Sequence, residues 1–101
     1  MTIYVDIDNT ICHSFKNKDD EWDYSLSKPR HTQIAKINKL FEEGNKIVYW
    51  TARGSVTGIN WYELTKSQLD LWDCKYHKIS VGEKPPYDLL ICDKTKRIEE
   101  L

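Results

Sequence analysis

Residues 3–12 read Ile3-Tyr4-Val5-Asp6-Ile7-Asp8-Asn9-Thr10-Ile11-Cys12, IYVDIDNTIC. An apolar, β-branched run heads into two aspartates one residue apart and then a threonine. Residues 2–8 read as a strand, and their near-continuous apolarity suits the centre of a parallel sheet, buried on both faces. Two carboxylates at the end of such a strand make sense if that end is where the fold presents chemistry. Alternation along the strand predicts Asp6 and Asp8 on one side.

The rest of the chain supplies the sheet. Residues 13–30 are polar and aperiodic, with Phe15, Trp22 and Tyr24 as aromatic punctuation. They read as a loop or flap, with a plain solvated excursion as the alternative. Residues 31–43 carry Ile34, Ile37, Leu40 and Phe41 in an amphipathic stripe, stopped by Gly44-Asn45. Lys46 to Trp50 is a second apolar strand, ending at Thr51-Ala52-Arg53-Gly54. A second helix is expected over 58–73, a short strand over 78–81, a turn over 82–86 and a further strand over 87–92, ending in Asp93. The chain then reads as entering a helix. Strands separated by helices predict a small α/β domain: three layers, a Rossmann-like parallel sheet and helices on both faces. The whole of 1–101 reads as one domain without internal repeats.

Composition narrows the partners. The chain has 101 residues, 40% hydrophobic and 31% charged, with net charge −1. That balance gives no global basic surplus for non-specific nucleic-acid binding. Cys12, Cys74 and Cys92 are widely spaced and form no CxxC, so reduced cytosolic thiols are the simplest reading. No run approaches a signal peptide or a membrane span, so a cytoplasmic protein with no membrane partner is expected.

Ligands of open parallel sheets bind at the carboxyl ends of the strands. Asp6, Asp8 and Thr10 leave the first strand there, Thr51 and Arg53 the second, and Asp93 the last, with Lys84 in the turn before it. Three carboxylates in one crevice repel one another unless a cation stands among them. Oxygen donors alone suit Mg²⁺. Hydroxyls, Lys84 and Arg53 beside such an ion suit a phosphoryl group. One aspartate can then act as nucleophile and a second as acid and base. Each residue also has a plainer reading: Thr51 as a turn hydroxyl, Lys84 as a solvated lysine, Arg53 as an ion-pair partner.

Asp6-Ile7-Asp8-Asn9-Thr10 resembles the DxDxT motif of the haloacid dehalogenase (HAD) superfamily of phosphotransferases. The strand ending in Thr51 (IVYWTARG), Lys84 before Pro85 and the acidic end of YDLLICDK follow in that family's order. The chain is similar, more narrowly, to small proteins described as capsule or polysaccharide biosynthesis phosphatases. The resemblance implies Asp6 as nucleophile and Mg²⁺ ligand, and Asp8 as general acid/base with its main-chain carbonyl on the metal. It implies Thr51 and Lys84 on the phosphoryl oxygens, Arg53 near the phosphate or leaving group, Asp93 on the metal and Thr10 as a buttress. One departure stands out: Cys92 occupies a position that is often acidic in relatives.

The function expected is Mg²⁺-dependent hydrolysis of a small phosphomonoester, a sugar phosphate first. Alternatives are a nucleotide or a 3′-phosphorylated nucleic-acid end, and a non-catalytic HAD-like binding module. The 13–30 segment is too short for a cap domain, so the site is either open or covered by a second copy in a homo-oligomer.

Overall fold

The computed structural model describes residues 1–55, 57–82 and 89–91, the last three by their backbone. The elements are β1 (Thr2–Asp6), β2 (Cys12–His13), β3 (Lys28–Pro29), α1 (His31–Glu42), β4 (Lys46–Thr51), α2 (Tyr62–Leu71), β5 (Lys78–Val81) and β6 (Leu89–Ile91), with a 3₁₀ turn at Tyr24–Leu26. The main sheet is parallel throughout and ordered β5-β4-β1-β6. From β1 the chain steps outward to β4 and β5, then returns to the other side of β1 at β6. The order of strands therefore reverses at β1, which is where crevices open in such sheets. The α/β class expected from the sequence is what the chain adopts.

One face of the sheet carries the core. Ile3 and Val5 lie in register with Ile47 and Tyr49, and all four pack in one cluster with Ile34 and Ile37 of α1 and Leu69 of α2. Both helices thus cover the same face. Two right-handed crossovers stepping in one direction, β1 to β4 to β5, require that placement. The opposite face bears Tyr4, Asp6, Val48 and Trp50, and no described helix covers it; the helix expected after Asp93 lies outside the described residues. His77 closes the end of the core side: its Nδ1 accepts from the Ile47 N–H at 3.1 Å, and its ring stacks on Phe41.

Three boundaries differ from the sequence reading. β1 ends at Asp6, because the Thr10 and Ile11 N–H groups both turn back to the Ile7 carbonyl (3.2 and 3.1 Å) and Asn9 takes φ +63°. The Ile7 N–H still donates to the Trp50 carbonyl at 3.0 Å, and Asp8, bridged to Cys12, opens the turn. The 13–30 segment is an ordered hairpin. β2 and β3 pair antiparallel, Lys16 bridges Trp22, and the Asn17 side chain accepts from the Asp19 and Glu21 N–H groups. The second helix begins at Tyr62 instead of 58, after a loop with Gly54 and Gly58 at positive φ. The Asn60 side chain accepts the Tyr62 N–H at 3.0 Å at its start.

Candidate active site

Asp6 closes β1, half-buried, in register with Trp50 of β4. The turn after it is clamped from below. Thr10 is fully buried, and the Arg30 guanidinium donates to its carbonyl at 3.2 Å while the Arg30 N–H reaches the Ile11 carbonyl at 2.8 Å. Arg30, which the sequence reading did not single out, thus clamps the aspartate turn, while the Thr10 hydroxyl is buried without a hydrogen-bond partner among the described residues.

The turn aims Asp8 at the end of β4. Thr51 Oγ1 donates to Asp8 Oδ2 at 2.8 Å. Arg53 Nη2 donates to Oδ1 at 2.8 Å, and Arg53 Nε stands 3.1 Å from both oxygens. Ser14 Oγ adds a donor to Oδ1 at 2.7 Å. A carboxylate offers about four lone-pair sites, and these donors fill them.

Arg53 is itself enclosed. Its side chain has no exposed surface, and its Nη1 donates to Thr65 Oγ1 (3.1 Å) and Gln68 Oε1 (2.6 Å) of α2. The Tyr24 ring lies over the guanidinium at 4.6 Å, and Gln68 Nε2 donates to the Tyr24 carbonyl. A buried guanidinium is tolerated when its fork of donors is met in this way. Three separate segments (the aspartate turn, the hairpin and α2) therefore meet on one cation.

Of the residues expected at the site, Asp6, Asp8, Thr51 and Arg53 gather at the carboxyl edge of β1 and β4. Arg53 takes its ion-pair reading and not a phosphate-facing one, because none of its side chain reaches the surface. Thr51 is 1% exposed and directs its hydroxyl at Asp8. Lys84, Cys92 and Asp93 lie outside the described residues. Ser14, Thr65 and Gln68 were not anticipated. The signal for the last two is a polar pair set into the Leu64, Leu69 and Trp72 stripe of α2.

The donors at this edge, Asp6, Asp8 and Thr51, are all oxygens, the ligand type that Mg²⁺ takes. Among the described residues no three His, Cys, Asp or Glu side chains gather as a metal site. With the Asp8 carboxylate filled, the Asp6 carboxylate and the Asp8 main-chain carbonyl are the atoms suited to such an ion. Cys12 sits beneath the turn, fully buried. Burial first, and then the Asp8 charge, push its thiol up to about 11, so it stays a neutral packing group.

Beside the cluster lies a cleft of about 520 Å³ between the hairpin and the loop after β4. It is not centred on the aspartates but shares the Tyr24 wall with them. Burial, then the Asp8 charge, raise the Tyr24 hydroxyl above its ordinary value, while Arg53 opposes the shift. No described helix is long and apolar enough to cross a membrane. Comparison with protein-family models, with curated proteins and with solved structures finds no match to this chain.

Proposed function

We propose that the chain is a Mg²⁺-dependent phosphatase of the HAD type, with a Rossmann-like core, hydrolysing a small phosphomonoester. The observation that supports it is the convergence of Asp8 with Thr51 and Arg53, from 43 and 45 residues away, beside Asp6 at the strand-order reversal. The Asp6 carboxylate attacks phosphorus and the alcohol leaves. Water then cleaves the acyl phosphate and returns Asp6. Asp6 and the Asp8 main-chain carbonyl would hold a Mg²⁺ ion, together with Asp93 as the resemblance implies, and the ion would supply charge neutralisation to the phosphoryl oxygens.

Asp8 moves the proton. Its Oδ1 is the more loaded oxygen, facing Ser14 and Arg53 Nη2. Oδ2, met by the Thr51 hydroxyl and Arg53 Nε, is the oxygen that gives a proton to the leaving alcohol and then takes one from the attacking water. Arg53 acts as a positioning residue for Asp8, and Lys84, outside the described residues, is the cation that the resemblance assigns to the phosphoryl group. Positioning and charge stabilisation account for most of the catalysis in such a reaction.

The test is hydrolysis of a generic aryl phosphate with Mg²⁺ by wild type and Asp6→Asn. The variant is expected to lose about 10³-fold or more in kcat. No metal-dependent turnover on any phosphoester refutes the enzyme reading. Turnover untouched by Asp6→Asn removes Asp6 as the nucleophile. A second reading, a non-catalytic binding module, draws on the filled Asp8 carboxylate; it requires that phosphate bind without turnover.

A further inference from the structure

We propose that the cleft beside Tyr24 is the leaving-group subsite of this reaction, and that it takes the base of a nucleoside monophosphate. The proposal rests on the phosphatase reading for the chemistry, but not for the binding. The floor of the cleft is Ala52 and Gly54, which flank Arg53 and directly follow Thr51. A substrate with its phosphoryl group at the end of β4 would therefore extend its other end over this floor.

The walls are aromatic and mutually ordered. Trp22 and Tyr24 lie with planes 7° apart and centroids 6.5 Å apart, and Trp61 meets Tyr24 edge-on at 5.2 Å. Trp22 and Ile59, 50% and 53% exposed, both line the same cleft. Single exposed apolar side chains are ordinary, but a group of them in one concavity marks a binding site. The volume falls within the roughly 300–1,000 Å³ of small-molecule sites. Tight chain folding shapes this floor: Gly54, at φ +82°, lies so close to Ile59 that a Cβ there would stand 2.0 Å from its carbonyl oxygen.

Aromatic ring faces stack on the π-face of a base, whereas a pyranose meets them through the C–H groups of one face. Charge selects a mononucleotide over a polymer. Asp20 and Glu21 line the cleft, and Lys16 is occupied by Asp20 at 3.5 Å and by the Trp22 face. Flanking phosphates of a polynucleotide would meet those carboxylates. Because Tyr24 also covers Arg53, a base in the cleft leans on the same wall that encloses Asp8's partner.

The test has a binding arm and a turnover arm. In the first, saturation-transfer NMR with unphosphorylated adenosine and cytidine, against methyl glucoside, reads which protons touch the protein. Base protons are expected to take the strongest saturation, and Trp22→Ala is expected to abolish it while Trp22→Phe keeps it. In the second, kcat/KM is measured for AMP, CMP, glucose 6-phosphate and a 3′-phosphorylated oligonucleotide. Mononucleotides are expected to lead, with Trp22→Ala raising their KM about tenfold and leaving kcat within about twofold. Circular dichroism checks that both variants fold. Nucleoside binding that depends on Trp22 without any turnover would sink the phosphatase reading and keep the subsite. Turnover with no preference for a base and no effect of Trp22→Ala would keep the phosphatase and overturn the subsite. An oligonucleotide that outcompetes AMP and CMP overturns the assignment to mononucleotides.

Discussion

Arg53 Nη2 stands 2.8 Å from Asp8 Oδ1, and the arginine side chain in that pair has no exposed surface while the aspartate keeps 20% of its own. The pair joins the turn after β1 to the loop after β4, and through Thr65 and Gln68 it also ties both to α2. Its one partly open side belongs to Asp8. The buried cation therefore holds the pair in place, and the aspartate is the member that keeps exposed surface.

Arg53→Met should destabilise the fold by about 3 kcal/mol, since it strands Asp8 without its main partner. Urea denaturation with the Arg53→Met/Asp8→Asn double variant checks the cause. The double variant is expected to lose clearly less than the sum of the singles. Full additivity would mean the two side chains do not support one another.

Thr51→Val keeps the shape of a 1% exposed side chain and removes the donor to Asp8 Oδ2. A stability loss of about 1–2 kcal/mol is expected by denaturant titration. Under the phosphatase reading kcat should fall more than KM changes, because Thr51 acts on the proton carrier.

Gly54→Ala and Gly58→Ala should differ. Both positions have positive φ, so each substitution carries backbone strain of about 1 kcal/mol. At Gly54 the added Cβ also meets the Ile59 carbonyl, whereas at Gly58 it meets nothing within 4 Å. Gly54→Ala is expected to lower Tm by several degrees more than Gly58→Ala and to weaken any ligand in the adjoining cleft. Equal Tm values would remove that close approach.

Alkaline pH should loosen the fold through two thiols. Burial is the largest cause that pushes Cys12 up to about 11 and Cys74 up to about 12, against an ordinary value of 9.0. Raised folded values mean the native state holds these protons more tightly. The stability they support is complete below about pH 9 and is lost as pH climbs through 11 and 12. Thermal melts from pH 8 to 11 should show a fall in Tm that Cys12→Ala and Cys74→Ala each make shallower. At pH 8, iodoacetamide followed by mass spectrometry should find both residues unmodified in the native protein and labelled after unfolding.

The sequence by itself determined the α/β class, the places of α1, β4 and β5, and the carboxyl-edge address of Asp6, Asp8, Thr51 and Arg53. These are local matters: apolar periodicity, glycine stops and the rule that parallel strands present their ends together. The tertiary structure alone decided what those side chains face. The turn that closes on the Ile7 carbonyl, with Asn9 at positive φ, sits where Asp8 meets Thr51 and Arg53. The depth of the crevice takes Arg53 away from solvent and gives it to Thr65, Gln68 and Tyr24. The direction of the two crossovers puts both helices on one face. Each of these depends on contacts between residues far apart in the chain, where a buried donor must find its acceptor, and no spacing along the sequence encodes that pairing.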